Sequence, residues 1–252
     1  MRLTILGKSP AWTDAGGACS GYLVEEGGAA LLVDCGNGVF GKLRERISYA
    51  EVDAVAITHL HGDHVLDLAP FSYALKFGPA GRERDVPPRL IAPRGAGAFF
   101  RRLDGTWDDE GLIAGAFALE EYEPRSESAV GPLTLRTHPV PHIGATHAIE
   151  LTGADGRRIV LGADGRYSDE LIAAAAGADL LVAEATLPET PQSEDVHMSA
   201  EQAGLLAAHA GVGRLVLTHI SDELDTERSR RIAADAFGGE VTVAASGAEY
   251  EV

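Results

Sequence analysis

The sequence predicts an α/β fold, on three observations. Short apolar runs of strand length alternate with longer segments that repeat at helical spacing. Gly-rich turns separate these segments, and no Pro/Ser-rich linker divides the chain. Strands open each half, and helices alternate with strands later, as when helices pack on sheets.

The elements follow in order. Arg2–Gly7, Gly21–Glu26 and Ala29–Asp34 read as strands, with Glu26-Gly27-Gly28 as a hairpin turn. Val39–Ile47 reads as a short helix, Asp53–Thr58 as a buried strand and Leu66–Phe77 as a helix. Arg89–Ala92 is a short strand and Gly95–Leu103 a helix. Leu133–Val140, Ala148–Thr152 and Arg158–Gly162 read as strands. Ser168–Ala176 is a helix with Ser168 as its cap, and Asp179–Ala183 a strand. Ser199–Ala210 is a helix capped by Ser199. Arg214–Thr218 is a strand, Thr226–Phe237 a helix, and Glu240–Ala244 and Glu249–Val252 are closing strands. One internal echo stands out. DAVAITH ends at His59 and RLVLTH at His219, each an apolar strand delivering a histidine from its C-terminal end. Two related halves facing each other across a site would produce it.

Composition narrows the function classes. A chain of 252 residues, 45% hydrophobic and 23% charged, can bury a core without staples. Its two cysteines, Cys19 and Cys35, imply no disulfide framework. No apolar run reaches the about 20 residues that span a bilayer. The apolar stretch of MRLTILGKSP is too short for a signal peptide. A cytoplasmic protein with no membrane partner is expected. With 38 acidic residues against 21 Lys/Arg, the net charge of −17 disfavours nucleic acid as a partner. Residues 77–131 are the least regular. Their basic first part (Arg82, Arg84, Arg89, Arg94, Arg101, Arg102) and acidic second part (Asp108 to Glu127) read as two solvated faces. The functional alternative is a lid whose arginine reaches a substrate phosphate.

The strongest signal is His59-Leu60-His61-Gly62-Asp63-His64, directly after the buried strand. In extended backbone, side chains two apart point the same way, so His59 and His61 can share one ion. Gly62 lets the chain turn, and Asp63 and His64 then approach a second ion. Imidazole and carboxylate suit zinc and related divalent ions. Further ligands must come from elsewhere. His142, Asp164 and His219 each stand where an apolar strand runs out.

HxHxDH, a later His, an Asp in a Gly-flanked turn and a closing strand–Thr-His resemble the metallo-β-lactamase-fold hydrolases. The resemblance runs from TILG and LLVDCGNG to the closing strands. It is nearest the ribonuclease-Z-like branch and its small cyclic-nucleotide phosphodiesterase-like proteins, through LVAEATL, His197-Met198-Ser199 and GVGRLVLTHIS. It implies an αββα sandwich, two β-sheets flanked by helices. It implies one domain over 1–252, with pseudo-symmetric halves of about 1–130 and 131–252. It assigns one ion to His59, His61 and His142, a second to Asp63, His64 and His219, and makes Asp164 the bridge. His138 and His147 are nearby decoys. Three departures matter, the first being the altered N-terminal Gly-rich turn, GKSPAWTDAGGACSG. No Gly/Pro-rich arm is inserted between Thr152 and Leu180, and Ala183-Glu184-Ala185-Thr186 lacks the family's first histidine.

The implied reaction is phosphodiester hydrolysis. Two divalent ions, zinc by ligand type with manganese or iron also fitting, bring a water's pKa to about 7. The hydroxide attacks phosphorus in line. His197 is the candidate general acid, with Glu184 orienting it, and Asp63 can take the water's proton. Cys35 reads as a small core residue. The expected partner is a small phosphorylated molecule such as a 3′,5′-cyclic nucleotide, and a homodimer fits. The alternatives are a lactone, amide or thioester hydrolase, a tRNA-processing ribonuclease and a non-catalytic metal protein.

Overall fold

Strand side chains alternate between two faces, and here both faces find a partner layer. The computed structural model describes residues 1–193 and 195–252. In the first sheet β1 (Arg2–Gly7), β2 (Gly21–Glu26), β3 (Ala29–Val33), β4 (Ala54–Ala56), β5 (Arg89–Pro93) and β6 (Ala118–Tyr122) lie side by side. In the second, β7 (Glu127–Val130), β8 (Leu133–Pro139), β9 (His147–Thr152), β10 (Arg158–Leu161), β11 (Leu180–Glu184), β12 (Arg214–Thr218) and β13 (Glu240–Val243) do the same. β14 (Glu249–Glu251) closes the first sheet beside β1.

Both sheets follow one plan. Antiparallel neighbours β14, β1, β2 and β3 give way to parallel β3–β4–β5–β6. Antiparallel β7, β8, β9 and β10 give way to parallel β10–β11–β12–β13. The sheets face each other through Leu31, Val33, Ile149, Leu151, Leu161 and Val182. Leu32 and Val55 point the other way, onto Phe71 of α3 (Leu68–Phe77), alongside α1 (Val39–Arg44) and α5 (Ala96–Gly105). Leu181 and Leu217 meet α6 (Asp169–Ala175), α7 (Ala200–Ala210) and α8 (Thr226–Phe237). The order is helices, sheet, sheet, helices. A reciprocal Ser199–Gln202 capping box starts α7. α7 and α8 touch through backbone, since a Cβ at Gly204 would stand 2.4 Å from the Ala233 carbonyl oxygen.

Three expectations need correction. The helix read over Leu66–Phe77 is α3 preceded by a separate turn, α2 (Gly62–Val65). Asp67 marks the break: its N–H donates to Cys35 O and its carboxylate accepts from Phe40 N–H. Residues 77–131 also hold two further strands, β6 and β7, and the short helix α4 (Pro79–Arg82). β6 escapes periodicity because an edge strand can carry charge. Arg89 donates twice to Glu120 of β6 at 2.7 Å, Glu121 of β6 accepts Gly95 and Gly97 N–H at the start of α5, and just past the strand Glu123 lies 3.4 Å from Arg94. The two charged runs meet at two ion pairs, Arg89–Glu120 and the well-exposed Arg94–Glu123. The DAVAITH/RLVLTH echo, finally, joins strands of different rank. β4 is the first parallel neighbour of β3, whereas the strand in that place in the second sheet is β11, not β12. By position β3 matches β10, and each is followed within three residues by an aspartate, Asp34 or Asp164.

Candidate metal centre

In sheets with parallel strands, sites form beyond the strands' carboxyl ends. Here the loops after β3, β4, β10, β11 and β12 converge, with the loop after β8. They bring together all seven residues expected as ligands.

His59, His61, His142 and Asp164 form one group, their ligand atoms within 4.8 Å of one another. His61 Nδ1 lies 3.0 Å from His59 Nε2 and 3.3 Å from His142 Nε2. Asp164 Oδ2 is 3.7 Å from His59 Nε2 and 4.0 Å from His142 Nε2. Asp63, His64, Asp164 and His219 form the second group, all buried. His219 Nε2 lies 3.1 Å from Asp63 Oδ2 and 3.3 Å from Asp164 Oδ2. His64 Nε2 is 3.4 Å from the same two oxygens. Asp164 Oδ2 therefore belongs to both groups.

Outer partners aim the rings. His59 Nδ1 meets Thr58 Oγ1 at 3.0 Å, and Thr58 donates to Asp34 Oδ2 at 2.9 Å. Asp34 Oδ2 also accepts from His64 Nδ1 at 2.8 Å, and Asp34 Oδ1 from Thr58 N–H. His219 Nδ1 meets Thr186 Oγ1 at 2.7 Å, and Thr186 donates to Glu184 Oε2 at 2.6 Å. His142 Nδ1 donates to the Val196 carbonyl at 3.0 Å. With Nδ1 engaged in all four, Nε2 turns its lone pair inward. His61 is the exception, since its Nδ1 faces the group.

The backbone is bent to this end. Five non-glycine positions among the described residues have positive φ, and Asp34 (58°), Ala163 (58°) and His219 (48°) are three of them. Left-handed backbone costs about 1–2 kcal/mol per residue, which the surrounding contacts must offset. The loop after β3 sits so close to the HxHxDH turn that a Cβ at Gly36 would stand 1.9 Å from Asp63 O. Only glycine allows that approach.

The donor set fits a pair of divalent cations. Nitrogens and carboxylate oxygens crowd together with few hydrogens between them, and His64 Nε2 is buried with no hydrogen-bond partner. Ligands about 2.1 Å from a tetrahedral ion stand about 3.4 Å apart, close to the spacings here. Charge agrees. Burial, with the neighbouring His64 charge, pushes His59 well below the usual imidazole range, and burial also lowers His61. Burial opposes charge on His64 as well, but the Asp164 and Asp34 carboxylates overcome it and hold His64 well above its usual range. Burial likewise opposes ionisation of Asp164, and the His219 and His64 charges reverse that effect. Carboxylates that favour a proton here favour a cation in its place.

His197 stands beside both groups. Its ring, 23% exposed, stacks 5.5 Å from the His219 ring, and its Nδ1 lies 2.9 Å from Glu184 Oε1. Burial works against its charge, but the Glu184 hydrogen bond and charge raise it overall. Glu184, His197 and His219 also cluster, yet Glu184 is already filled. Oε1 accepts from Gly165 N–H and Oε2 from Met198 N–H and the Thr186 hydroxyl. It reads as a support. The decoys lie outside: His138 pairs with Glu150 at 3.0 Å, and His147 opens β9 against the Tyr122 ring. Cys35 is buried in the core. Sequence reasoning missed Asp34, Thr58 and Thr186. The acid that ends LLVD, just before a Gly-containing turn, was the available signal for the first.

Among the described residues, no helix is long and apolar enough to cross a membrane. A family profile described as a beta-lactamase superfamily domain matches residues 29–220. The chain is 31% identical over 254 residues to the probable metallo-hydrolase YhfI of Bacillus subtilis, covering 100% of both proteins. The crystal structure of the metallo-beta-lactamase fold protein YhfI from Bacillus subtilis matches with a TM-score of 0.86 at 28% identity, over 99% of each chain. A ribonuclease Z of Haloarcula marismortui is 29% identical over 301 residues, covering 100% of this chain and 97% of that protein. The chain belongs to the metallo-β-lactamase superfamily of metal-dependent hydrolases.

Proposed function

We propose that this chain is a dinuclear phosphodiesterase acting on small phosphodiesters, with a 3′,5′-cyclic nucleotide as the type substrate. The observation that carries the reading is Asp164 Oδ2, placed within reach of His59, His142, His64 and His219 at once. In this reading His59, His61 and His142 would hold one ion and Asp63, His64 and His219 the other, with Asp164 available to both. The bound pair supplies charge neutralisation at phosphoryl oxygens and an activated water at neutral pH. Zinc suits the ligand types, and manganese or iron fits the same shell.

The chain's own groups supply the rest. Asp63 accepts the proton of the attacking water. His197, with Nδ1 held by Glu184, presents Nε2 to the leaving oxygen and gives it a proton. Glu184 keeps that ring charged and correctly turned. The net charge of −17 favours a small substrate over a polynucleotide. The test is turnover of cyclic AMP, cyclic GMP and bis-p-nitrophenyl phosphate by metal-replete protein, with metal counted in the same sample. Two ions per chain with cleavage of a cyclic nucleotide is the expected result. Two ions without phosphodiesterase turnover would overturn the reading and direct the search to lactones, amides and thioesters.

A further inference from the structure

The backbone that carries His219 leaves its strand abruptly. β12 ends at Thr218, whose carbonyl accepts from Ala185 N–H, and His219 then takes left-handed backbone with φ 48°. Such a conformation persists only where its surroundings fix it. Thr186 aims the His219 ring, and its hydroxyl also stands 2.9 Å from the His219 carbonyl. A hydroxyl has one proton, and that of Thr186 goes to Glu184. The chain beyond His219 is held instead by the loop between β1 and β2. Ile220 N–H donates to Lys8 O at 3.1 Å, and Lys8 Nζ donates back to Ile220 O at 2.7 Å. Asp222 N–H donates to Asp14 Oδ1 at 3.1 Å, while Asp14 Oδ2 pairs with Lys8 Nζ. The two charged side chains are only 16% and 10% exposed, so each depends on the other for compensation. The loop is closed on itself. Lys8 and Ser9 N–H donate to Ala18 O, and Asp14 N–H to Ser9 Oγ. Its return leg reaches the Asp63 side of the same ligand group, since a Cβ at Gly36 would stand 2.9 Å from Cys19 Cβ and 1.9 Å from Asp63 O. Among the described residues, no hydrogen bond or ion pair of Lys8 or Asp14 runs to the loops of His61, His142 or Asp164.

We propose that Lys8, fixed by Asp14, is a positioning residue for the ion held at His219: it clamps the Ile220 peptide and so keeps the His219 ring turned to Asp63 and Asp164. The clamp rests on the two-ion part of the reading above and not on its substrate. Outer groups that hold a ligand in place are worth about 10–100-fold in metal affinity. The effect should fall on one ion only, because the bonds of the clamp run to the His219 turn and not to the first group.

The test is cadmium-113 NMR with chelator competition on the full chain loaded with cadmium. Wild-type protein is expected to show two resonances, one of which His219→Ala removes. Lys8→Met keeps the aliphatic stem and removes the ammonium. It should shift or broaden that same resonance, leave the other in place and weaken one ion by about tenfold. The double variant Lys8→Met/Asp14→Asn leaves no charge unpaired and should show the same selective loss. Two wild-type resonances that neither variant moves overturn the clamp and leave the two-ion reading standing. So does an equal weakening of both ions in both variants, which would make Lys8 a general support of the fold. A single wild-type resonance, at one ion per chain, that His219→Ala removes and Lys8→Met still shifts keeps the clamp and overturns the two-ion reading. No bound cadmium overturns both.

Discussion

Asp34 and Glu184, at the ends of β3 and β11, each hold two histidines by one device. Asp34 reaches His59 through the Thr58 hydroxyl and His64 directly. Glu184 reaches His219 through the Thr186 hydroxyl and His197 directly. The difference lies in the directly held ring. His64 is 2% exposed and belongs to a buried ligand group, whereas His197 is 23% exposed and outside both groups built on Asp164. Asp34 thus organises the interior alone. Glu184 ties the interior to the face a substrate meets. A carboxylate–hydroxyl–imidazole chain settles which nitrogen points inward, and exposure settles whether the ring can also exchange protons.

Substitutions at these residues separate the two arrangements. The largest effect is expected from Asp164→Ala, which removes the oxygen shared by both groups. Metal analysis should fall from about two ions per chain to near none, with turnover lost. Two tightly held ions in that variant would end the bridging assignment. Next is His197→Ala. It should lower kcat by about 10²–10⁴-fold on substrates with alkoxide leaving groups, less on p-nitrophenolate, and keep the metal. Loss of metal would make His197 a ligand instead.

The third pair of variants tests the contrast itself. Asp34→Ala should weaken both ions, by about 10–100-fold in a chelator competition. Glu184→Ala should weaken chiefly the ion at His219 and also lower kcat through His197. Equal effects on both ions in the two variants would dissolve the distinction. The smallest effect is expected from Thr186→Val, which removes one neutral hydroxyl link worth about 1 kcal/mol. Affinity for one ion should drop several-fold, as the same competition would read.

The seven residues that the structure brings together could be singled out because His59, His142, Asp164 and His219 each follow an apolar strand, and His61, Asp63 and His64 follow His59 within five residues. That pattern is local, and the HxHxDH spacing is local too. So are the helix caps at Ser168 and Ser199, where the side chain reaches only three residues along. β6 was not legible, since its glutamates make sense only beside Arg89 and the start of α5. Nor was Asp34, whose partner Thr58 is 24 residues away. Strands, helices, caps and the chemistry of the donors follow from spacing within a few residues. The match of β3 to β10 and the left-handed backbone of Ala163 and His219 emerge only once the strands have paired. Those outcomes depend on which strands pair across long loops, and pairing is set by burial against partners that no short window of sequence contains.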